Sequence, residues 1–176
     1  APTAAKRKEL IERLPKTNPA LAAAYQDALD YVTRTMDYIR ASKQFPLLGK
    51  GDLNLYAVML ERAIALTKPG GRTGFLTPSG IATDNTTKEF FQTIVAQRRL
   101  EEFIDFENKK VFFPDVHASF KFAISIIGGR DRTCEAARCA FFIHDMEELE
   151  DPNRLFELRA ENFALVNPNT RTCPIF

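Results

Sequence analysis

The segment from Lys68 to Pro78 constrains the fold more than any other part of the sequence. A capped amphipathic pattern predicts a helix from Asp52 to Lys68, and the turn residues Pro69-Gly70-Gly71 end it sharply. The side chains expected on its buried face are Leu55, Val58, Met59, Ala63 and Leu66. The short stretch 73–77 that follows is typical of a buried strand, which Pro78 closes. A helix that turns directly into a buried strand indicates an α/β sheet.

The sequence after Pro78 continues this sheet. Thr86-Thr87-Lys88-Glu89 has the spacing of a capping box and predicts a second helix, and residues 100–106 predict a second strand. Apolar residues alternate with other residues from Phe120 to Ile126, which predicts a third strand. A turn at Gly128-Gly129-Arg130-Asp131 leads to a fourth strand at 135–144, which we expect to return antiparallel beside the third. The predicted fold class is therefore α/β, with a sheet that ends in an antiparallel hairpin.

Two predicted helices precede the sheet. Residues 4–14 are charged and amphipathic, and Pro15 is expected to end that helix. Asn18 is a favourable cap for a second helix, with Pro19 at its first position, and apolar residues follow one face of that helix as far as Ile39. Both helices are interpreted as packing elements without chemistry.

Composition narrows the class of protein. The hydrophobic fraction of 45% and the charged fraction of 27% are those of an ordinary globular protein, and no apolar run approaches a membrane span. The net charge of +1 does not indicate nucleic-acid binding, so motifs must support any DNA partner. Three cysteines without a C-x-x-C pair favour free thiols in a reducing cytoplasm over a metal site. The first residue is not Met, so we expect the chain to begin partway through a longer protein.

Three motifs follow one another in a fixed order. They are Gly51-Asp52-Leu53-Asn54-Leu55-Tyr56, the corner from Lys68 to Pro78, and Asp105-Phe106-Glu107-Asn108-Lys109 leading to Val111-Phe112-Phe113-Pro114. Each motif alone is common, but the ordered set resembles the adenine-N6 DNA methyltransferases, and most closely the large type II and type IIG restriction–modification methylases of phage defence. The resemblance covers residues 6–176 and identifies them with the C-terminal half of that family's catalytic domain.

The resemblance implies a fold and an activity. The family fold is a Rossmann-like class I methyltransferase sheet of seven strands, parallel except for a final reversed hairpin strand. These enzymes transfer a methyl group from S-adenosyl-L-methionine to N6 of an adenine flipped out of duplex DNA. The implied domains are a helical insertion at 1–44, the second half of the catalytic domain at 45–145, and a connector toward a target-recognition region at 146–176.

The catalytic centre itself is not expected in this sequence. The family holds the adenine with an Asn-Pro-Pro-aromatic loop and binds the methyl donor over a glycine-rich turn, and neither motif occurs here. Asn167-Pro168-Asn169-Thr170 lacks the second proline and the aromatic residue, so it predicts only a turn. We therefore expect no catalytic residue, no metal site and no methylation by this chain alone.

The resemblance assigns DNA-binding roles to the loop before the third strand. Phe113 matches the aromatic residue that packs against the flipped base and borders a hole sized for a purine, with Phe112 as its substitute if the register shifts by one. The structural alternative for Phe113 is a core position that anchors the loop, and for Lys109 and Lys110 it is a solvated loop. The further candidates for contact with DNA are Pro114, Lys109, Lys110 and His117.

The resemblance also places residues near the methyl donor and the pocket. Asp52 and Asn54 lie where the family's helix approaches the donor and the catalytic loop, although helix capping explains Asp52 equally well. Thr77 and Pro78 are assigned to the rim of the pocket. His144 has a lower expectation of any functional role than His117.

Other functions stay open at this stage. A class I methyltransferase that acts on RNA or on a small molecule shares the Pro-Gly-Gly corner, and a non-catalytic packing module is a further alternative. Glu107-Asn108-Lys109 and Pro114-Asp115 resemble magnesium-nuclease motifs, but their order is reversed and their spacing too short. The expected partners are duplex DNA and fused or associated nuclease and recognition domains, with no membrane. An Asn-Pro-Pro-aromatic motif in the parent protein would identify it as a methyltransferase that acts on adenine in DNA.

Overall fold

The computed structural model describes residues 3–174. These residues form two compact units, of which the first ends at Lys43 and the second begins at Gln44. The first unit consists of α1 (Ala4–Thr17) and α2 (Pro19–Ala41), which contact each other. In the described part of the chain, no helix has the length and apolar character needed to cross a bilayer.

The two helices of the first unit begin as expected, but the first ends later. Asn18 caps α2, because its side chain accepts a hydrogen bond from the Leu21 amide at 3.0 Å. The expectation that Pro15 ends α1 is wrong, since Pro15 lies inside the helix. Proline so near the last turn removes a single hydrogen bond, and the Asn18 amide still donates to the Leu14 carbonyl at 2.8 Å.

The second unit is a five-stranded sheet with helices and two 3-10 turns. Its strands follow the spatial order β1-β3-β2-β4-β5. In chain order its elements are α3 (Leu55–Leu66), β1 (Arg72–Pro78), α4 (Gly80–Thr83), α5 (Lys88–Ala96), β2 (Leu100–Glu107), β3 (Lys121–Gly128), β4 (Ala137–Ile143), the 3-10 turns Met146–Glu150 and Pro152–Arg154, β5 (Phe156–Leu158) and α6 (Ala160–Val166).

The sheet confirms the α/β fold class and corrects the position of one strand. β3 is antiparallel to both β1 and β2, and β5 is antiparallel to β4, so the sheet is mixed and contains two reversed strands. The expectation that the strand after Gly129 lies beside the third strand is wrong. Because β1 and β2 occupy both edges of β3, β4 pairs in parallel with the far edge of β2. The hairpin therefore joins β2 to β3 through residues 108–120.

Both faces of the sheet are covered by apolar side chains. The larger cluster lies against the helices and contains the fully buried Leu60, Ile81, Phe103 and Phe163. The smaller cluster on the other face is built on Ile104, Phe106, Ala140 and Ile143. The predicted turn at Asn167-Pro168-Asn169-Thr170 follows α6 and is confirmed. All three cysteines are free.

Two predicted caps do not form. α3 begins at Leu55, so the predicted start at Asp52 is wrong, and the Asn54 carbonyl accepts from the Val58 amide at 3.2 Å. α5 begins at Lys88, but the Thr87 hydroxyl donates to the Gly80 carbonyl at 2.7 Å instead of capping the helix. Threonine hydroxyls compete in this way for nearby backbone carbonyls, so the predicted capping box is also wrong.

The buried face of α3 also differs from the predicted one. Leu55, Met59 and Leu66 were expected inside and are 69%, 60% and 69% exposed. Val58 is buried as predicted, and the helix also buries Ala57, Leu60 and Glu61.

Candidate functional site

The carboxyl ends of three parallel strands form the edge at which the candidate residues gather. β1, β2 and β4 run in the same direction, and they end at Pro78, Glu107 and Ile143. Residues 108–120 leave β2 at this edge and return as β3; we call them the aromatic loop. In open α/β sheets ligands bind outside the carboxyl ends of the strands. The candidates of this loop and of β1 therefore lie on the side of the sheet suited to a ligand.

Four phenylalanines form the base of the aromatic loop. The Phe113 ring meets Phe122 edge to face, with centroids 5.2 Å apart at 76°. Phe122 stacks on Phe106 at 5.0 Å, and Phe112 packs edge-on against both of these rings at 5.4 and 5.2 Å. Phe112 is half-buried in this cluster, whereas Phe113 is 41% exposed. Of the two adjacent candidates, Phe113 is the one with ring surface left for a ligand.

Phe122 connects the loop to the predicted rim. Pro78 pairs with Phe122 across β1 and β3, and Thr77 pairs with Ala123. Pro78 is exposed, whereas Thr77 is buried and its hydroxyl has no hydrogen-bond partner within the described residues. Pro78 and Phe113 thus approach the same ring from two elements. Sequence reasoning missed Phe122, although its place in the alternating strand directly after the loop was the available signal.

Asn108 is the second residue that the sequence did not single out. Its side chain is fully buried, and its amide nitrogen donates to the carbonyls of Phe113 at 2.8 Å and Val116 at 3.0 Å. Its side-chain oxygen accepts from the Phe113 amide at 2.9 Å. The signal was its place in the Asp-Phe-Glu-Asn motif, but spacing alone does not reveal hydrogen bonds that form when a loop closes.

The charged candidates of the loop separate into bound and free groups. Lys109 Nζ lies 2.9 Å from one oxygen of Glu107, and His144 Nε2 lies 3.0 Å from the other. The hydrogen bonds from Lys109 and His144 hold the pKa of Glu107 below its usual value. Lys110 is exposed, with no ion pair within the described part of the chain, so it is the lysine available to a phosphate.

The remaining candidates of the edge are exposed. His117 bonds Ser119 Oγ through Nδ1 at 2.8 Å, and Pro114 lies at the exposed tip of the loop. Asp52 and Asn54 are exposed before α3. α3 contacts β1 and joins it through the corner 67–71, so its first residues lie toward the carboxyl end of β1.

Two clefts of the second unit lie elsewhere. One of about 400 Å³ is lined by Gln92, Phe163 and Arg171, and another of about 190 Å³ by Leu47 and Lys88. Phe113 lines neither of these two clefts. The purine-sized hole that the resemblance implies beside it therefore stays a prediction.

Glu107 and Lys109, which the magnesium-nuclease alternative invokes, bind each other. Residues 3–174 contain no group of three or more His, Cys, Asp or Glu side chains placed to hold a metal ion.

Comparison with known proteins connects this geometry to a family. Residues 29–112 match the model of the Eco57I restriction-modification methylases. No curated protein matches the chain. Among solved structures, the type IIG restriction endonuclease BpuSI has a similar fold, with a TM-score of 0.55 and 17% identity over 79% of this chain and 18% of that protein. The matched segment contains the corner before β1 and the first part of the aromatic loop.

Proposed function

We propose that this chain is the part of a DNA adenine-N6 methyltransferase that presents an aromatic surface to a flipped adenine. The observation that carries the proposal is the partly exposed Phe113 ring, supported from behind by Phe122 at the carboxyl edge of the sheet. Stacking of a base on such a ring contributes about 1–3 kcal/mol whatever the base. Lys110 is the cation proposed to contact the DNA backbone, with Lys109 and His117 as neighbours.

The binding site for the methyl donor is assigned to another part of the parent protein. Asp52 and Asn54 are exposed before α3 and do not by themselves form a site for S-adenosyl-L-methionine. No described strand pairs with the outer edge of β1, so the sheet can continue there with strands supplied by the rest of the parent. We assign to that part the glycine-rich turn and the Asn-Pro-Pro-aromatic loop, and we leave Asp52, Asn54, Thr77 and Pro78 as contributors to the shared rim.

The proposal includes the partners and the setting of the parent. BpuSI, which has a similar fold, is a type IIG restriction endonuclease, and the family that matches residues 29–112 consists of restriction–modification methylases. We therefore propose that the parent acts on duplex DNA in the cytoplasm, within a restriction–modification system, and has fused or associated nuclease and recognition domains. The recognition sequence would belong to those other domains.

The first prediction concerns the reaction. The full-length protein that carries this sequence is expected to transfer labelled methyl groups from S-adenosyl-L-methionine to duplex DNA, with N6-methyladenine as the product found by nucleoside mass spectrometry. The 176-residue chain alone is expected to transfer none. RNA of the same base sequence serves as the second substrate. Methylation of RNA but not DNA, or transfer by the isolated chain, would overturn the proposal.

The second prediction concerns Phe113. In the full-length protein, Phe113→Ala is expected to weaken binding to duplexes with an extrahelical adenine by roughly 5- to 150-fold, the equivalent of one lost stacking contact. Binding to fully paired duplex should change much less. Phe120→Ala is the matched control, because Phe120 is an exposed phenylalanine of the same loop. An equal loss on both DNAs would show that Phe113 only packs the loop.

A further inference from the structure

Asn108 supplies side-chain hydrogen bonds to the backbone of the aromatic loop, in which the Phe113 carbonyl also accepts from the Val116 amide at 3.1 Å. Its amide satisfies Phe113 N–H, Phe113 C=O and Val116 C=O with both of its hydrogens and its oxygen. Its own backbone bonds the Phe120 carbonyl and the Val111 amide at 2.8 and 2.9 Å. Every polar group of this buried residue therefore has a partner inside the aromatic loop.

The chain next to Asn108 adopts a conformation that needs such support. Lys109 and Lys110 have φ values of 42° and 64°, so two successive residues with a Cβ lie in the left-handed region. This region is disfavoured for residues other than glycine, and it persists only where the surroundings fix it. Here the Lys109 amide donates to the Ala118 carbonyl at 2.8 Å, directly beside the Asn108 bonds.

The position of the Phe113 ring depends on these bonds. Both backbone polar groups of Phe113 are held by the Asn108 side chain, so its ring can turn only about its own side-chain bonds. The ring rests on Phe122, and Phe113 is 41% exposed to solvent. We call the three Asn108 side-chain hydrogen bonds the clamp. Without the clamp the loop would be mobile, and the apolar ring would lower its free energy by packing onto neighbouring apolar surface.

We propose that Asn108 is the positioning residue of the aromatic loop. Its side chain holds Phe113 in the position that contacts a base before any DNA is bound. The functional half of this inference rests on the function proposed above, whereas the structural half does not. Preorganisation of this kind lowers the entropy cost of ordering a contact group on binding. The loop is accordingly ordered before the ligand binds and does not fold around it.

The structural half can be tested on the chain itself, because it contains no tryptophan. Phe113→Trp introduces a single fluorophore at the presented position. With Asn108 intact, time-resolved anisotropy should show mainly the slow tumbling of the whole protein. Adding Asn108→Ala should replace most of that slow component by nanosecond motion, with unchanged circular dichroism. Retention of the slow component in a folded double variant would overturn the proposal.

Asn108→Asp provides a rescue that a purely space-filling role would not give. The ionised carboxyl faces the carbonyls of Phe113 and Val116 without a hydrogen to donate, so the loop should be mobile at neutral pH. Protonation restores one donor, so the slow component should recover as the pH falls. The Ala variant measured over the same range corrects for titration of His117, Asp115 and Glu107, and it should show no recovery. Identical pH profiles for Asn108→Asp and Asn108→Ala would refute the clamp. This holds even if one of the two variants is less stable than the other.

Binding to DNA separates this inference from the proposed function. In the full-length protein, Asn108→Ala should lose most of the preference for extrahelical adenine over paired duplex, as Phe113→Ala does. If wild-type protein shows no such preference, the proposed function fails while the anisotropy result still decides the clamp. If the preference exists and Asn108→Ala retains it, positioning by Asn108 is wrong.

Discussion

Asp105 is the residue that connects the ends of the three parallel strands. Its fully buried carboxyl, on β2, accepts a hydrogen bond from the Ser79 hydroxyl after β1 and one from the Phe142 amide of β4 at 3.3 Å. Burial raises the pKa of Asp105 above its ordinary value of 3.8, although Ser79 and Phe142 oppose the shift. A buried acid at this place therefore makes the stability of the edge depend on pH.

The sign of that dependence follows from the raised pKa. Between pH 3.8 and the higher folded-state pKa, the folded protein binds more protons than the unfolded chain, so the free energy of unfolding falls as the pH rises. Asp105→Asn is expected to remove this decline, because the amide does not ionise. Urea unfolding of both proteins from pH 4 to 7 tests it, with Asp131→Asn as the exposed control. Parallel curves for wild type and Asp105→Asn would contradict the assignment.

Single residues also mark the limit of what the sequence could predict about the site. Phe113 was identified by its place in a motif, and its exposure agrees with a surface role. Asn108 and Phe122 were missed because their roles arise from contacts between β2, the loop and β3. Such contacts depend on how the loop closes, which neither spacing nor residue type determines.

At the scale of elements, periodicity predicted strands better than helix faces. The strands β1, β2 and β3 begin and end within about two residues of the predicted positions, because turn residues bound each of them. The buried face of α3 was predicted from its apolar residues alone, and it includes a charged residue that this prediction left out. Glu61 lies inside, where its carboxylate accepts from the amides of Leu47 and Leu48 at 3.0 and 2.8 Å.

Glu61 should accordingly contribute to stability despite its charge. Glu61→Ala leaves the Leu47 and Leu48 amides without acceptors, and we expect it to lower the free energy of unfolding by about 2 kcal/mol or more. Glu61→Gln keeps one acceptor and should lose about half as much. Arg62→Ala, at the exposed neighbouring position, should stay within about 0.5 kcal/mol of wild type in urea unfolding at pH 7. A similarly small effect of Glu61→Ala would show that water satisfies both amides.

At the scale of the whole molecule, the fold class was predictable and the strand order was not. The alternation of helices and strands predicted an α/β sheet, and the likeness to BpuSI agrees with that class. The hairpin was assigned to the wrong pair of strands because the short turn at 128–131 suggested adjacent neighbours. Since both edges of β3 are already paired, the chain passes the amino end of β2 and pairs with the far edge of that strand. Competition between strands for an edge is a property of the complete sheet.

The open side of β1 has a consequence for handling the protein. Its outward amides and carbonyls lack a partner strand among residues 3–174, and the apolar Leu76 on it is 52% exposed. An uncovered strand of this kind is a template for another extended chain. Preparations of these 176 residues alone should therefore tend to aggregate as they are concentrated, and a short soluble peptide that adds to the vacant side of the sheet should keep them dispersed.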